Sequence, residues 1–212
     1  MAVKEREDDF RERARAKLLA SAQAVIASEG HTAVQARRVA TDAGCAVGTV
    51  YNIYRDIDGL ILAANGVTLK DLRAALEAAQ RRAIGQNLQS RLMTLAVAYL
   101  DFATVNRSRW RAVFEHRVPD DYPVPPEYLD DRRGLLALIE NELVEAVPDP
   151  SARQDAARAL FSATHGNVLL SLDAKLGAFE PDRCERQIGF IVRHVVAGLQ
   201  APDVRADGLK NR

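Results

Sequence analysis

Apolar residues recur every three or four positions along nearly the whole chain, and nowhere do they alternate in runs bounded by turn clusters. That pattern restricts the chain to helices, because a strand needs a period of two to bury one face. Alanine, leucine, arginine and glutamate fill the same stretches, and these residues lose little freedom in a helix. The fold class expected is therefore all-α, with about nine helices. The first spans about 9–29, with Phe10, Ala14, Leu18, Ala22, Val25 and Ile26 on one face and Gly30 placed as its left-handed cap. Two short helices, about 35–43 and 47–54, flank Gly44-Cys45-Ala46, and a long one runs from Asp58, a suitable N-cap, to about residue 83. Five more are expected at about 88–105, 108–117, 127–146, 151–176 and 182–200. The stretch 118–126 is too rich in proline for a helix and reads as a surface loop or a lid.

At 48% apolar and 27% charged, the chain of 212 residues has the profile of a globular protein, which excludes a disordered tail and a disulfide scaffold. Cys45 and Cys184 have no Cys-x-x-Cys or Cys/His spacing, so both are expected as free thiols in a reducing compartment, and a cytoplasmic address follows. The charged N-terminus lacks the apolar run of a signal peptide, and no uncharged run of about 18 residues suits a membrane span. Zero net charge conceals an asymmetry. Between Phe10 and Arg55 stand seven basic and three acidic side chains, and the rest of the chain carries the matching acidic excess. One basic segment is all that a nucleic-acid binder requires, although charged helix faces are also ordinary solvated surface.

The two short helices fit a helix-turn-helix. Ala40 is small enough for the helices to cross closely, and Gly44, four residues on, supplies a positive φ. Val39, Ala43, Cys45 and Val50 are apolar where the helices must meet. The second helix then offers Val47, Thr49, Tyr51 and Asn52, a methyl, hydroxyl, phenol and amide set suited to groove edges and phosphates. The residues alone leave open an αα-hairpin with an incidental glycine, and a Tyr51 that packs on Leu60.

Gly30, Arg37, Val39, Ala40, Ala43, Gly44, Gly48, Thr49, Tyr51 and Tyr54 occur in an order and spacing that resembles the TetR family of transcriptional regulators, strongly over residues 9–65. Beyond that the likeness is one of helical architecture, although Thr164-His165-Gly166 resembles a Trp-His-Gly-type variant of the C-terminal domain. The resemblance implies an N-terminal three-helix DNA-binding domain at 1–57, an effector-binding and dimerisation bundle at 58–200, and a frayed tail at 201–212. It implies DNA contacts from Gln35, Arg37, Arg38, Val47, Gly48, Thr49, Tyr51, Asn52 and Arg55. Three positions depart from the pattern. Ala46 replaces a capping Ser/Thr, leaving the Val47 and Gly48 amides to attract a phosphate. Gln35 and Ile57 stand where a phosphate-touching hydroxyl and a lysine are commoner, and Arg38 and Arg55 are the charges available to replace that lysine.

Elsewhere the chemistry is sparse. The four histidines show no metal-ligand spacing, and neither a catalytic serine motif nor a phosphate or dinucleotide loop is present, so no enzyme activity, metal or cofactor is expected. Tyr99, Phe102, Trp110 and Phe114 concentrate aromatic area in two consecutive helices, either as the wall of an effector pocket or as ordinary core, with His165 as a polar contact or a hydrogen-bonded core histidine. Ile188, Ile191, Val192, Val195, Val196 and Leu199 form a stripe wider than one intrachain contact needs, which suggests a homodimer seam. The expected protein is a dimeric, ligand-responsive regulator, a repressor on a near-palindromic double-stranded operator. A helical carrier of small molecules or acyl chains without DNA binding is the rival reading. A small helical enzyme is a second rival, and it lacks a nucleophile or acid/base pair.

Overall fold

The computed structural model describes residues 2–175 and 177–200, with side chains from residue 8 onward. Among the described residues nine α-helices follow one another: α1 Ala2–Glu29, α2 Ala36–Ala43, α3 Val47–Tyr54, α4 Ile57–Arg82, α5 Leu88–Val105, α6 Arg107–Glu115, α7 Pro126–Glu142, α8 Pro150–Leu172 and α9 Pro181–Gln200. A single 3-10 turn, His31–Ala33, joins α1 to the segment before α2. The all-α reading holds, and most helix ends lie within two residues of expectation. The tail at 201–212 lies outside the described residues.

Helix α1 begins seven residues before expectation and α8 ends four before it, and several other ends show their local causes. Helix α4 starts one residue early because Asp56, not Asp58, is its cap: Asp56 Oδ1 accepts the Gly59 N–H at 2.8 Å, and the Asp56 carbonyl accepts Leu60 N–H. Asp58 instead sits in the first turn and binds His116 Nε2 at 2.9 Å. Gly30 has the positive φ of 88° expected of it, but its ψ of 169° is not that of a left-handed helical cap. Helix α7 stops at Glu142, where the Leu143 N–H is shared between the carbonyls of Ile139 and Glu140 and the last turn tightens. Helix α8 follows the Pro148-Asp149-Pro150 break, with Asp149 Oδ1 accepting Ala152 N–H at 2.8 Å and Pro150 in the first position, where no donor is needed.

Contacts between the described residues group the chain into two compact units: residues 2–75 with 101–135, and 76–100 with 136–200. In the first, α1 supplies Leu18, Ala22, Val25 and Ile26 to a core completed by Val39, Ala40 and Ala43 of α2, Val50 and Tyr54 of α3, Leu60, Ile61 and Ala64 of α4, and Ala112 of α6. Helix α6 therefore shares a core with the first three helices, although more than fifty residues separate it from α3 in the chain. Buried Asn65 reinforces this by donating to the Ala112 carbonyl at 3.0 Å. In the second unit α8 packs on α9, with Ala157, Leu160, Val168 and Leu172 buried along one and Cys184, Ile188, Val192 and Val196 along the other.

Candidate nucleic-acid interface

The turn between α2 and α3 is built as its residues require. Gly44 closes α2 in the left-handed region, at φ 67° and ψ 36°, and donates to the Thr41 carbonyl at 3.1 Å, while Cys45 N–H reaches back to Ala40 at 2.8 Å. Val39, Ala40, Ala43 and Val50 are all buried, which locks α2 against α3 and both against α1. With one face so committed, α3 leaves Val47, Gly48, Tyr51, Asn52 and Arg55 exposed, positions that lie together on the opposite face. Thr49 is half-buried. Tyr51 is 49% exposed, so it does not serve as core against Leu60; Tyr54 takes the buried position at 7%.

Ala46 precedes α3 in extended conformation without a side-chain cap, as its identity demands. Thr49 N–H finds the Ala46 carbonyl at 2.9 Å, which leaves the Val47 and Gly48 amides at the helix start with no intrahelical acceptor. An added Cβ at Gly48 would meet nothing within 4 Å, so no internal contact demands a glycine there. Gln35 caps α2 by backbone alone, and its side chain is exposed. Arg37 is exposed in the first turn of α2. Arg38 is held by Glu29 in a two-bond fork, at 2.9 and 2.5 Å, which drives the carboxyl below and the guanidinium above their usual ranges.

The end of α3 is fastened by Tyr54 and Arg55 of the motif together with Asp56 and Tyr122, which motif reasoning did not single out. Tyr54 donates its hydroxyl to the Arg15 carbonyl at 2.9 Å and lies under the Arg15 guanidinium, and burial pushes its phenol pKa up. Arg55 follows at φ 69° and ψ −52°, while Asp56 N–H donates to the Tyr54 carbonyl at 2.8 Å. That is a positive-φ γ-turn, a rare and strained geometry for a residue with a side chain. Tyr122, from the proline-rich loop, donates to Asp56 Oδ1 at 2.6 Å with its ring under the Arg55 guanidinium. Burial and the Asp56 carboxylate push its phenol up to about 12. The loop is thus tied to the junction of α3 and α4, and no local sequence signal links residues 56 and 122.

The expected effector contacts fall into two groups. Tyr99 hydroxyl and His165 Nδ1 are 2.7 Å apart and Phe161 packs on both rings, all within the second unit. Burial pushes the His165 pKa down, which favours the neutral ring beside the Tyr99 hydroxyl. Trp110, 1% exposed, contacts Phe114 in the first unit, to which Phe102 also belongs.

The first unit thus carries a helix-turn-helix whose second helix keeps one face exposed, in an otherwise helical chain. Residues 92–195 match the tetracyclin repressor-like C-terminal domain family, which supports the reading of the chain as a TetR-family regulator. Solved structures share the fold. A protein from Rhodococcus sp. RHA1 is 23% identical with a TM-score of 0.73, over 89% of this chain and 96% of that one. A tetR-family regulatory protein from Rhodococcus RHA1 is 24% identical with a TM-score of 0.61, over 86% and 96%. The transcriptional regulator FadR from Bacillus subtilis, solved with stearoyl-CoA, is 13% identical with a TM-score of 0.66, over 86% and 98%. No protein of curated function matches the sequence.

Proposed function

We propose that this protein is a ligand-responsive repressor that binds a near-palindromic operator as a homodimer, with α3 in the major groove. The observation that carries the reading is the face of α3 made by Val47, Gly48, Tyr51, Asn52 and Arg55, exposed to the last residue while its other side is buried. Tyr51, Thr49 and the Val47 and Gly48 amides take phosphates, Val47 meets a thymine methyl, and Asn52 reads a base edge. Gln35, Arg37, Arg38 and Arg55 flank this face, with Arg38 exchanging Glu29 for phosphate. The dimer forms through α8 and α9. Ala159, Ala163 and Leu170 are exposed on one side of α8, and Phe190 is exposed on α9, so apolar and small side chains remain at the surface after α8 and α9 have packed together. An effector, held in the helical domain near Tyr99 and His165 or near Phe102, Trp110 and Phe114, shifts the spacing of the two heads away from the operator's half-site spacing. The relative solved with stearoyl-CoA supports an apolar or acyl ligand as the starting class. Among the described residues no helix is long and apolar enough to cross a membrane, in keeping with a cytoplasmic regulator.

Selection of genomic fragments by the purified protein, followed by footprinting, tests the reading. A symmetric protected site is expected, and Tyr51→Ala should cost about 1–3 kcal/mol of operator affinity with helicity unchanged. Arg37→Ala should weaken specific and nonspecific duplex alike and flatten the salt dependence by about one unit per lost phosphate contact. Absence of any preferred duplex, with an acyl ligand still bound, would leave the carrier reading in its place.

A further inference from the structure

A cleft of about 450 Å³ opens within the first unit between α1, the end of α3, α4 and the proline-rich loop. That volume suits a small organic ligand. Its floor is apolar, with Leu62 and Ala63 of α4 and Leu19 of α1, and Gly66 leaves space where a side chain would otherwise stand. An added Cβ at Gly66 would come only as near as 3.8 Å to the Tyr128 ring, an ordinary contact, so the gap is not closed by neighbouring atoms.

The walls are arginine on tyrosine. Arg15 lies over Tyr54 and Arg55 over Tyr122, each guanidinium 5.3 Å from its ring, and all four residues line the cleft. Both cations are only loosely neutralised: the carboxylate oxygens nearest them, on Glu12 and Asp56, are 3.8 Å away. Asp56 already accepts Tyr122 O–H and Gly59 N–H at its other oxygen. Lys70, 3.8 Å from Asp131, and Glu127 also line the cleft. The lining therefore combines two guanidiniums stacked on tyrosine rings with apolar and aromatic surface.

We propose that this cleft is a binding site for an amphipathic organic anion, with its apolar or aromatic body against Leu62, Ala63 and Tyr128 and its anionic head between Arg15 and Arg55. A flat body suits the tyrosine faces, and a planar guanidinium pair suits a carboxylate or sulfonate. The site is separate from the Tyr99 and His165 group and from Trp110 and Phe114, none of which line it. Because Tyr54 and Arg55 terminate the recognition helix, its occupant touches the chain where the direction of α3 is set. The proposal does not depend on the DNA-binding reading, since the probe is followed without DNA.

The test is titration of the full chain with 8-anilinonaphthalene-1-sulfonate, read by fluorescence. Saturable binding of one probe per chain is expected. Gly66→Leu, which fills the gap from within a helix, should weaken it at least tenfold, and Arg15→Gln should weaken it about tenfold through loss of a charge-assisted contact. The uncharged analogue N-phenyl-1-naphthylamine should bind about tenfold more weakly than the sulfonate for the same reason. Circular dichroism and the thermal midpoint establish that each variant is folded, and Val67→Phe, which fills the cleft from the next position, replaces Gly66→Leu if the latter is not. Wild-type affinity in a folded cleft-filled variant, or equal affinity for the charged and uncharged probes, would overturn the assignment.

Discussion

A methyl group added at position 48 would meet no atom of the protein within 4 Å, and the backbone there is ordinary helix. Glycine in a helix costs about 0.5–1 kcal/mol relative to alanine, so its presence at the second position of α3 is unexplained by the chain's own contacts. On the proposed DNA-binding reading, close approach of a DNA backbone would supply the reason. Gly48→Ala is accordingly expected to raise the thermal midpoint while weakening operator binding, measured by anisotropy of a labelled duplex; tighter binding would remove the close-approach account. His165 presents a different residue-scale case. Burial holds its pKa below the usual histidine range, and Tyr99 beside Nδ1 suits the neutral ring. Its neutral form is thus the native one, and the unfolded chain takes up a proton first as pH falls below about 6.5. Stability should be full above that pH and decline as pH falls towards the folded value, and His165→Gln should flatten this part of the pH profile of urea unfolding.

The junction of α3 and α4 shows how an element boundary is held from a distance. Asp56 caps α4 locally through Gly59 N–H, and the same oxygen receives Tyr122 O–H from a loop 66 residues away. The strained turn at Arg55 lies directly before it. Loss of the cap in Asp56→Ala should cost about 0.5–2 kcal/mol, and loss of the remote hydrogen bond in Tyr122→Phe about 0.5–1.5 kcal/mol. Because the two share one oxygen, the double variant should cost less than the sum, measured as a double-mutant cycle in urea. Strict additivity would mean that the contact between 56 and 122 contributes nothing. The helix starts themselves were legible beforehand, since Gly44, the Pro148-Asp149-Pro150 break and the missing cap at Ala46 act through neighbours in sequence. The choice of Asp56 over Asp58 was not, because each could cap a helix and only the partners at residues 116 and 122 separate their roles.

For the whole molecule, the stripe on α9 divides. Ile188, Val192 and Val196 are buried against the chain's own helices, whereas Ile191, Val195 and Leu199 are half-buried. The exposed apolar residues left over, Leu170 at 42% and Phe190 at 58%, are better probes of a dimer seam than Val195. Leu170→Asp and Phe190→Asp each place a charge where a single chain exposes it, so neither should unfold the protomer. Each should instead shift sedimentation equilibrium towards monomer, because an unpaired charge buried in an interface is costly. A wild-type chain that sediments as a monomer at micromolar concentration would end the dimer reading and the near-palindromic operator with it.

Helix count, most helix limits and the exposed face of α3 follow from properties read over one or two turns: apolar spacing, glycine at a positive φ, proline at a helix start. Those interactions are local, so their signal lies within a few adjacent residues. Tertiary structure alone decided that α6 shares a core with α1 to α4, that Tyr54 and not Tyr51 is the buried tyrosine of α3, and that a loop tyrosine clasps Asp56. It also decided that the aromatic residues at 99 and 110, on consecutive helices, belong to different compact units. The physical reason is the same in each case. Which of several equally apolar or equally polar side chains meets a given partner depends on how helices distant in sequence come together, and periodicity is silent about which distant face a helix will meet.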